Sequence, residues 1–299
     1  MDVNNTIYLS NLILGNEEDE TSLQLDSNAV AVYVALRSIM HNGRNEYYVN
    51  IDMLCYELCH KGDANRYFKT NIKNGLQALI DLGLVSVVEE ISKDGKILDL
   101  SNLYVDSQKV YYTTIFQEEV HKIMNIKCHE DKFKLLHYFI IMMKSINVLE
   151  KSKDGVKYVG FMSIKHLAAQ ARISTKSVNI YNEILESNEI IYIYHHEKLV
   201  IKDKISSLRN HYGRKEYEQN IKEYAIKYEL DKKDQGERMY KQKRKEEQQE
   251  ETRYGISIVT KKEITKVEIN DYDDDDIEFW EELNKIKYWQ TVFLYVILK

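Results

Sequence analysis

One order of elements occurs twice in this chain, and it narrows the fold more than any single motif. The stretch SIKHLAAQARISTKSVNIYNEILESNEIIYIY, from Ser163, reads as a short helix capped by Ser163, a tight turn, a longer helix and a strand. Val178, Tyr181, Ile184 and Leu185 recur at helical spacing, and the β-prone run IIYIY follows. Just before it, HEDKFKLLHYFIIMMKSI places Phe133, Leu136, His137, Ile140 and Met143 on one helix face, and VKYVGFM reads as extended. IIYIYHH and KLVIK then form a hairpin.

The first part of the chain follows the same order. SNAVAVYVALRSIM is a helix with Val30, Tyr33, Val34, Leu36 and Ile39 inward, capped by Asp26 or Ser27. YYVNIDMLCYELCH gives a short extended piece and a helix with Ile51, Leu54, Cys55, Leu58 and Cys59 on one side. After the turn KGDAN, NRYFKTNIKNGLQALIDLG is a helix with Ile72, Leu76, Leu79 and Ile80 inward, ending at Gly83. LVSVVEEI and ILDLSNLYV make the hairpin. Helix, short strand, helix, turn, helix, hairpin is the order of a winged helix-turn-helix. The expected class is therefore mainly α with small β-hairpin wings (α+β): two winged helix-turn-helix domains plus a charged helical C-terminal extension. The boundaries are a flexible arm over 1–20, domain one over 21–110, domain two over 111–213, a charged helix over 214–251, and a partly disordered acidic and aromatic tail over 252–299. The two halves share element order and not residues, which is structural duplication.

Proline is absent from all 299 residues, and Lys far outnumbers Arg. Proline codons are GC-rich, so this points to an AT-rich coding sequence, and it leaves Gly, Asn and charge to mark helix ends. Three cysteines make no disulfide framework, so a reducing cytoplasm is expected. The start MDVNNTIYLSNLILGNEEDE lacks the basic region of a signal peptide, and FIIMM is far shorter than a membrane span, so no membrane association is expected.

The net charge of −6 disfavours nucleic acid until it is divided. Residues 1–110 hold 9 basic and 16 acidic groups, 5 of the acids within the first 20 positions. Residues 111–213 hold 15 and 11, and residues 214–299 hold 18 and 21. Only the middle segment has the basic excess that attracts phosphate. A helix reads the major groove with a small, polar, acid-free face near its N-terminus. The candidates there are Ser174, Thr175, Lys176, Asn179 and Asn182, with Arg172 in the turn and Lys165 on the preceding helix. Ser and Thr at a helix start also offer N–H groups to phosphate. His195, His196 and Lys198 are candidate wing contacts. In the first domain Arg66, Lys69, Thr70 and Lys73 form the matching face, with dimerisation as its competing use. Residues 214–228 carry an apolar stripe of Tyr217, Ile221, Tyr224 and Tyr228, read as a helix lying along the second domain or as a short coiled coil.

No enzyme activity, metal or cofactor is expected. Cys55, Cys59 and His60 have zinc-like proximity, but both thiols share a side with Leu54 and Leu58, where cysteine is an ordinary core residue. The adjacent His195 and His196 point to opposite faces of a strand, unlike the metal-holding pair of a DNA nickase. Walker-type and hydrolase motifs are missing. The run Asp273, Asp274, Asp275 and Asp276 precedes Ile277, Phe279 and Trp280. It reads either as a partner-binding segment that seats its aromatics in a basic groove or as the acidic N-terminus of a helix. It is similar to the acidic tip of bacterial single-stranded-DNA-binding proteins, with Glu278 where that tip has proline.

With NIKNGLQALIDLGLVSVVEE, KLLHYFIIMMKSI, the Ser163 stretch and NHYGRKEYE in view, the chain resembles replication proteins of low-GC Gram-positive plasmids and phages. These are initiators and DnaD-like primosome proteins, and the resemblance covers roughly residues 25–225. The characteristic C-terminal motif of the DnaD family is missing. The resemblance implies a non-catalytic initiator whose winged helices grip double-stranded origin DNA. It also implies an acidic tail that recruits a host helicase, helicase loader or primase, while a homodimer is the competing use of the first domain's face. A transcriptional regulator of the copy-number or phage-repressor type is the alternative, and a protein-interaction scaffold a third.

Overall fold

The computed structural model describes residues 6–15, 25–40, 44–60, 64–92, 95–104, 112–149, 159–196, 199–201, 204–206, 208–234 and 236. It is mainly helical with small sheets, an α+β class as expected. Lys198 and the whole run from Asp273 to Trp280 lie outside these residues. Contacts divide the chain into two compact units, Met1–Ile193 with Tyr212–Glu218 and Tyr194–His211 with Gln219–Lys299. The boundary expected at 110–111 falls inside the first of these.

Strand β1 (Thr6–Ser10) opens the first unit. Its residues were expected in a flexible arm. Instead Ile7 and Leu9 are buried, and β1 pairs antiparallel with β5 (Tyr112–Phe116). Between them run α1 (Ser27–Ile39), β2 (Glu46–Asn50), α2 (Ile51–Cys59), α3 (Arg66–Asp81), β3 (Ser86–Glu90) and β4 (Gly95–Asp99). The sheet order is β2-β4-β3, so the last strand sits between the other two. After α4 (Gln117–Asn125) the same succession returns: α5 (Lys132–Leu149), β6 (Gly160–Phe161), α6 (Ile164–Ala171), α7 (Thr175–Ser187) and β7 (Ile191–Tyr194).

The third strand of the second sheet is not KLVIK. β8 (Leu199–Ile201) pairs with β9 (Lys204–Ser206), five residues on, and β10 (His211–Arg214) joins the sheet in the order β6-β10-β7. Tyr212 explains why. Its ring is buried, its hydroxyl lies 2.6 Å from Ser145 Oγ, and a Cβ on Gly160 would come within 2.7 Å of it. KLVIK alternates like a return strand, but its Leu199–Ile201 pairs with β9 instead.

Without proline, helix starts rely on side-chain caps. Asp26, Asn50 and Asn65 accept from the N–H groups of Ala29, Met53 and Phe68 at the starts of α1, α2 and α3. Ser163 and Ser174 do the same for α6 and α7. Each cap contributes about 1 kcal/mol. Gly83, at φ +68, takes the left-handed position just past α3, as read from the sequence.

The expected one-sided faces of α1 and α5 are wider in the fold. Every residue from Ala29 to Leu36 and from Leu135 to Ile146 is buried. α1 packs on α2, α3, α5 and β1, and α5 on α4, α6, α7, β5 and β6. One continuous apolar cluster runs through both repeats. Within it, Lys144 donates to the Gly15 carbonyl. Arg214 fastens β10 to the link between the repeats. Its Nε lies 2.6 Å from Glu119 Oε1, its Nη2 donates to the Thr114 carbonyl at 2.7 Å, and its guanidinium covers the Phe116 ring.

Gly75 marks the closest approach of α3 to α1: a Cβ there would collide with the Asn28 carbonyl. Gly75→Ala is expected to destabilise the chain by about 1–3 kcal/mol through overpacking, read as a lower midpoint in urea unfolding. An unchanged midpoint would show that the two helices are free to separate.

Candidate nucleic-acid interface

α7 buries Val178, Tyr181 and Leu185 and leaves Ser174, Thr175, Lys176, Asn179 and Glu183 exposed. The Ser174 hydroxyl accepts from the Ser177 N–H at 3.0 Å, which orients the first turn. Tyr181 is pinned among buried groups. Burial, with Glu130 and Asp131 close by, pushes its phenol up to about 12, so the ring stays neutral and internal. The open stripe is therefore short and polar, cationic at its start and acidic one turn past Asn179.

Asn182 is not on this stripe. Its Oδ1 accepts from the buried Tyr138 hydroxyl at 2.6 Å, so it is an anchor of α7 to α5 and not a base reader. Lys165 and Arg172 are both exposed, on α6 and in the turn after it. Arg172 adopts the left-handed conformation at φ +53, where an L side chain is strained and glycine is favoured. His60 holds the matching position after α2, also at φ +53. Its ring packs between Tyr56 and His121 at 4.8 and 5.1 Å, contacts that offset the strain.

On α3, Arg66, Thr70 and Lys73 are exposed as expected. Lys69 is instead turned toward α2, where its Nζ lies 2.6 Å from Asp52 Oδ1. Asn74 and Gln77 extend the open face and were missed. They stand four and seven residues beyond Thr70, so the helical period alone could have found them.

The second unit holds the other two candidates. His195 is exposed, with its Nδ1 3.2 Å from Asn210 Nδ2. The His196 side chain is fully buried against Glu229 and His211, which removes it from any outward contact. Ile221 and Ala225 are buried on the helix over 218–234, here α8. Cys55 is a core residue whose thiol burial pushes up to about 11, with Cys59 adding to the effect. Among the described residues, no group of three His, Cys, Asp or Glu is placed to hold a metal, and no helix is long and apolar enough to cross a membrane. No family model and no curated protein matches the chain.

His137 lies in the α5 core at 4% exposure, and its Nε2 has no hydrogen-bond partner among the described residues. Burial holds it near 4 instead of 6.5, opposed by Asp26 and assisted by Arg172 and Lys144. The folded chain thus binds fewer protons at this site than the unfolded chain between those two values. Stability is fully present above about pH 6.5 and falls as pH drops toward 4, by on the order of 3 kcal/mol for this one group. In His137→Leu this part of the acid sensitivity is expected to vanish, so its unfolding free energy changes less across that window than the wild type's. Equal slopes in pH-dependent urea titrations would refute the assignment.

Proposed function

We propose that the chain is a sequence-specific, non-catalytic double-stranded DNA-binding protein built on two winged helices, serving as a replication initiator of a plasmid or phage. The observation that carries the reading is the open flank of α7. Its N-terminal half offers Thr175, Lys176 and Asn179 to solvent while Val178, Tyr181 and Leu185 are buried on another side. The repeated order of helices and strands supports it, since both sheets place the last strand between the other two. A winged helix has this arrangement, with the second helix of its helix-turn-helix as the reading element.

Lys176 meets phosphate or guanine, Asn179 reads adenine, and the turn residue Arg172 meets phosphate. Glu183 limits the reading stretch to the first two turns by repelling the backbone. On α3 the amides of Asn74 and Gln77 add reading capacity, with Arg66 and Lys73 on phosphates. The acidity of residues 1–110 and the Lys69–Asp52 pair favour a second use of that face, contact with another copy of the chain. The initiator role follows from the resemblance of residues 25–225 to plasmid and phage replication proteins, and recruitment of a host helicase, loader or primase from the acidic segment at 273–280.

Binding of the full chain to duplex DNA is expected to weaken steeply with salt. Lys176→Ala should reduce the slope of log affinity against log salt by about one. An unchanged slope removes Lys176 from the phosphate contacts, and wild-type binding that ignores salt defeats the reading altogether. A plasmid carrying the cognate repeats should replicate only when the protein is supplied.

Arg172→Gly should act in two directions. Relief of the left-handed strain should stabilise the fold by about 1 kcal/mol, while loss of the guanidinium should cut DNA affinity roughly tenfold. Paired thermal melts and fluorescence anisotropy would check this. A variant that binds as tightly as the wild type would show that Arg172 does not touch DNA.

A further inference from the structure

Among the described residues, a dense cluster of titratable groups lies outside the proposed reading face. His196 Nδ1 is 3.2 Å from Glu229 Oε2, and His196 Nε2 is 2.7 Å from His211 Nδ1. His211 is fully buried, with its ring 5.4 Å from Tyr224 and 4.9 Å from Tyr228; Tyr194 packs edge-on against His196 at 5.0 Å. All of these residues belong to the second unit. His196 follows β7, His211 begins β10, and Tyr224, Tyr228 and Glu229 lie on α8.

We infer that Glu229, His196 and His211 form a proton-governed latch that fastens residues 219–234 to the base of the 194–211 excursion. Counting protons shows how it works. The Glu229 carboxylate only accepts, so His196 donates from Nδ1–H. Its Nε2 is then a lone pair and accepts from His211 Nδ1–H, which leaves one proton between the two rings. A first added proton is tolerated. His196 becomes an imidazolium paired with Glu229, its Nε2–H donates to His211 Nδ1, and the His211 proton moves to Nε2. A second proton is not tolerated, because two N–H groups then face each other at a spacing that needs an acceptor, and two cations adjoin beside the fully buried His211.

Burial opposes both charges. It lowers His196 despite the pull of Glu229, and it holds His211 near 4, with His196 adding repulsion. Among the described residues, the phenols of Tyr194, Tyr224 and Tyr228 also face the pair. The Lys232 ammonium lies 5.5 Å over the Tyr228 ring, and His195 is joined to Asn210. A latched 219–234 segment holds both ends of the excursion together, which is a structural role for His196 where the sequence pointed to a DNA contact. The inference does not depend on DNA binding.

Hydrogen exchange on the full chain, corrected for intrinsic rates, tests it. Between neutral pH and about 4, protection of residues 219–234 should fall about tenfold or more ahead of α1 and α5. His211→Phe keeps a ring against Tyr224 and Tyr228 but cannot be protonated, so the step should disappear. Glu229→Gln still accepts a hydrogen bond but removes the counter-charge, so the midpoint should move to higher pH. A wild-type segment that opens only with the rest of the chain, or a His211→Phe chain that keeps the wild-type step, overturns the latch. If His211→Phe already releases the segment at neutral pH, Glu229→Gln decides: an upward midpoint supports the latch and an unmoved one overturns it.

Discussion

Two deeply buried helices, α1 and α5, hold the first unit together. They pack on each other, and each carries the helices and strands of its own repeat around it. Burying one large apolar side chain is worth about 1.5–3 kcal/mol, and the many such residues on these two helices together outweigh any single polar contact among the described residues. The Arg214–Glu119 pair is better regarded as a locator. Its net stabilisation is modest once desolvation is counted, but breaking one partner leaves a charge without its counterpart. Because the core is continuous, the two repeats behave as one body and not as beads on a linker.

This common core also sets what the surface can do. α7 can offer Lys176 and Asn179 outward because Tyr181, Leu185 and the Tyr138–Asn182 hydrogen bond hold its other sides. The turn before it keeps a strained arginine where glycine would be cheaper, while the matching turn in the first repeat keeps a histidine whose ring packing compensates. The same backbone position therefore carries two different solutions, and only the one beside α7 places a permanent cation near the proposed groove.

Much of the site was legible in the residues. Ser163 as a cap, Val178, Tyr181 and Leu185 as the inner side of α7, and Gly83 beyond α3 follow from local rules of spacing and capping. Asn182, Lys69 and His196 did not follow, and for one shared reason. Each is polar and sits at a position that looks solvent-facing in a single-element projection, yet each meets a partner from a distant part of the chain: Tyr138, Asp52, and the pair Glu229 and His211. A helical wheel has no means of representing a hydroxyl or carboxylate that arrives from another element.

The amino-acid order alone determined the repeated succession of helices and strands, because periodicity, caps and glycine act over a few residues. It also determined where basic charge gathers along the chain. Tertiary structure decided that β10 and not β8 completes the second sheet, that residues 6–10 join a strand pair, and that both repeats share one core. Those outcomes rest on long-range complementarity, such as the Tyr212 ring against Gly160 and its hydroxyl on Ser145, where the free energy depends on partners many positions apart.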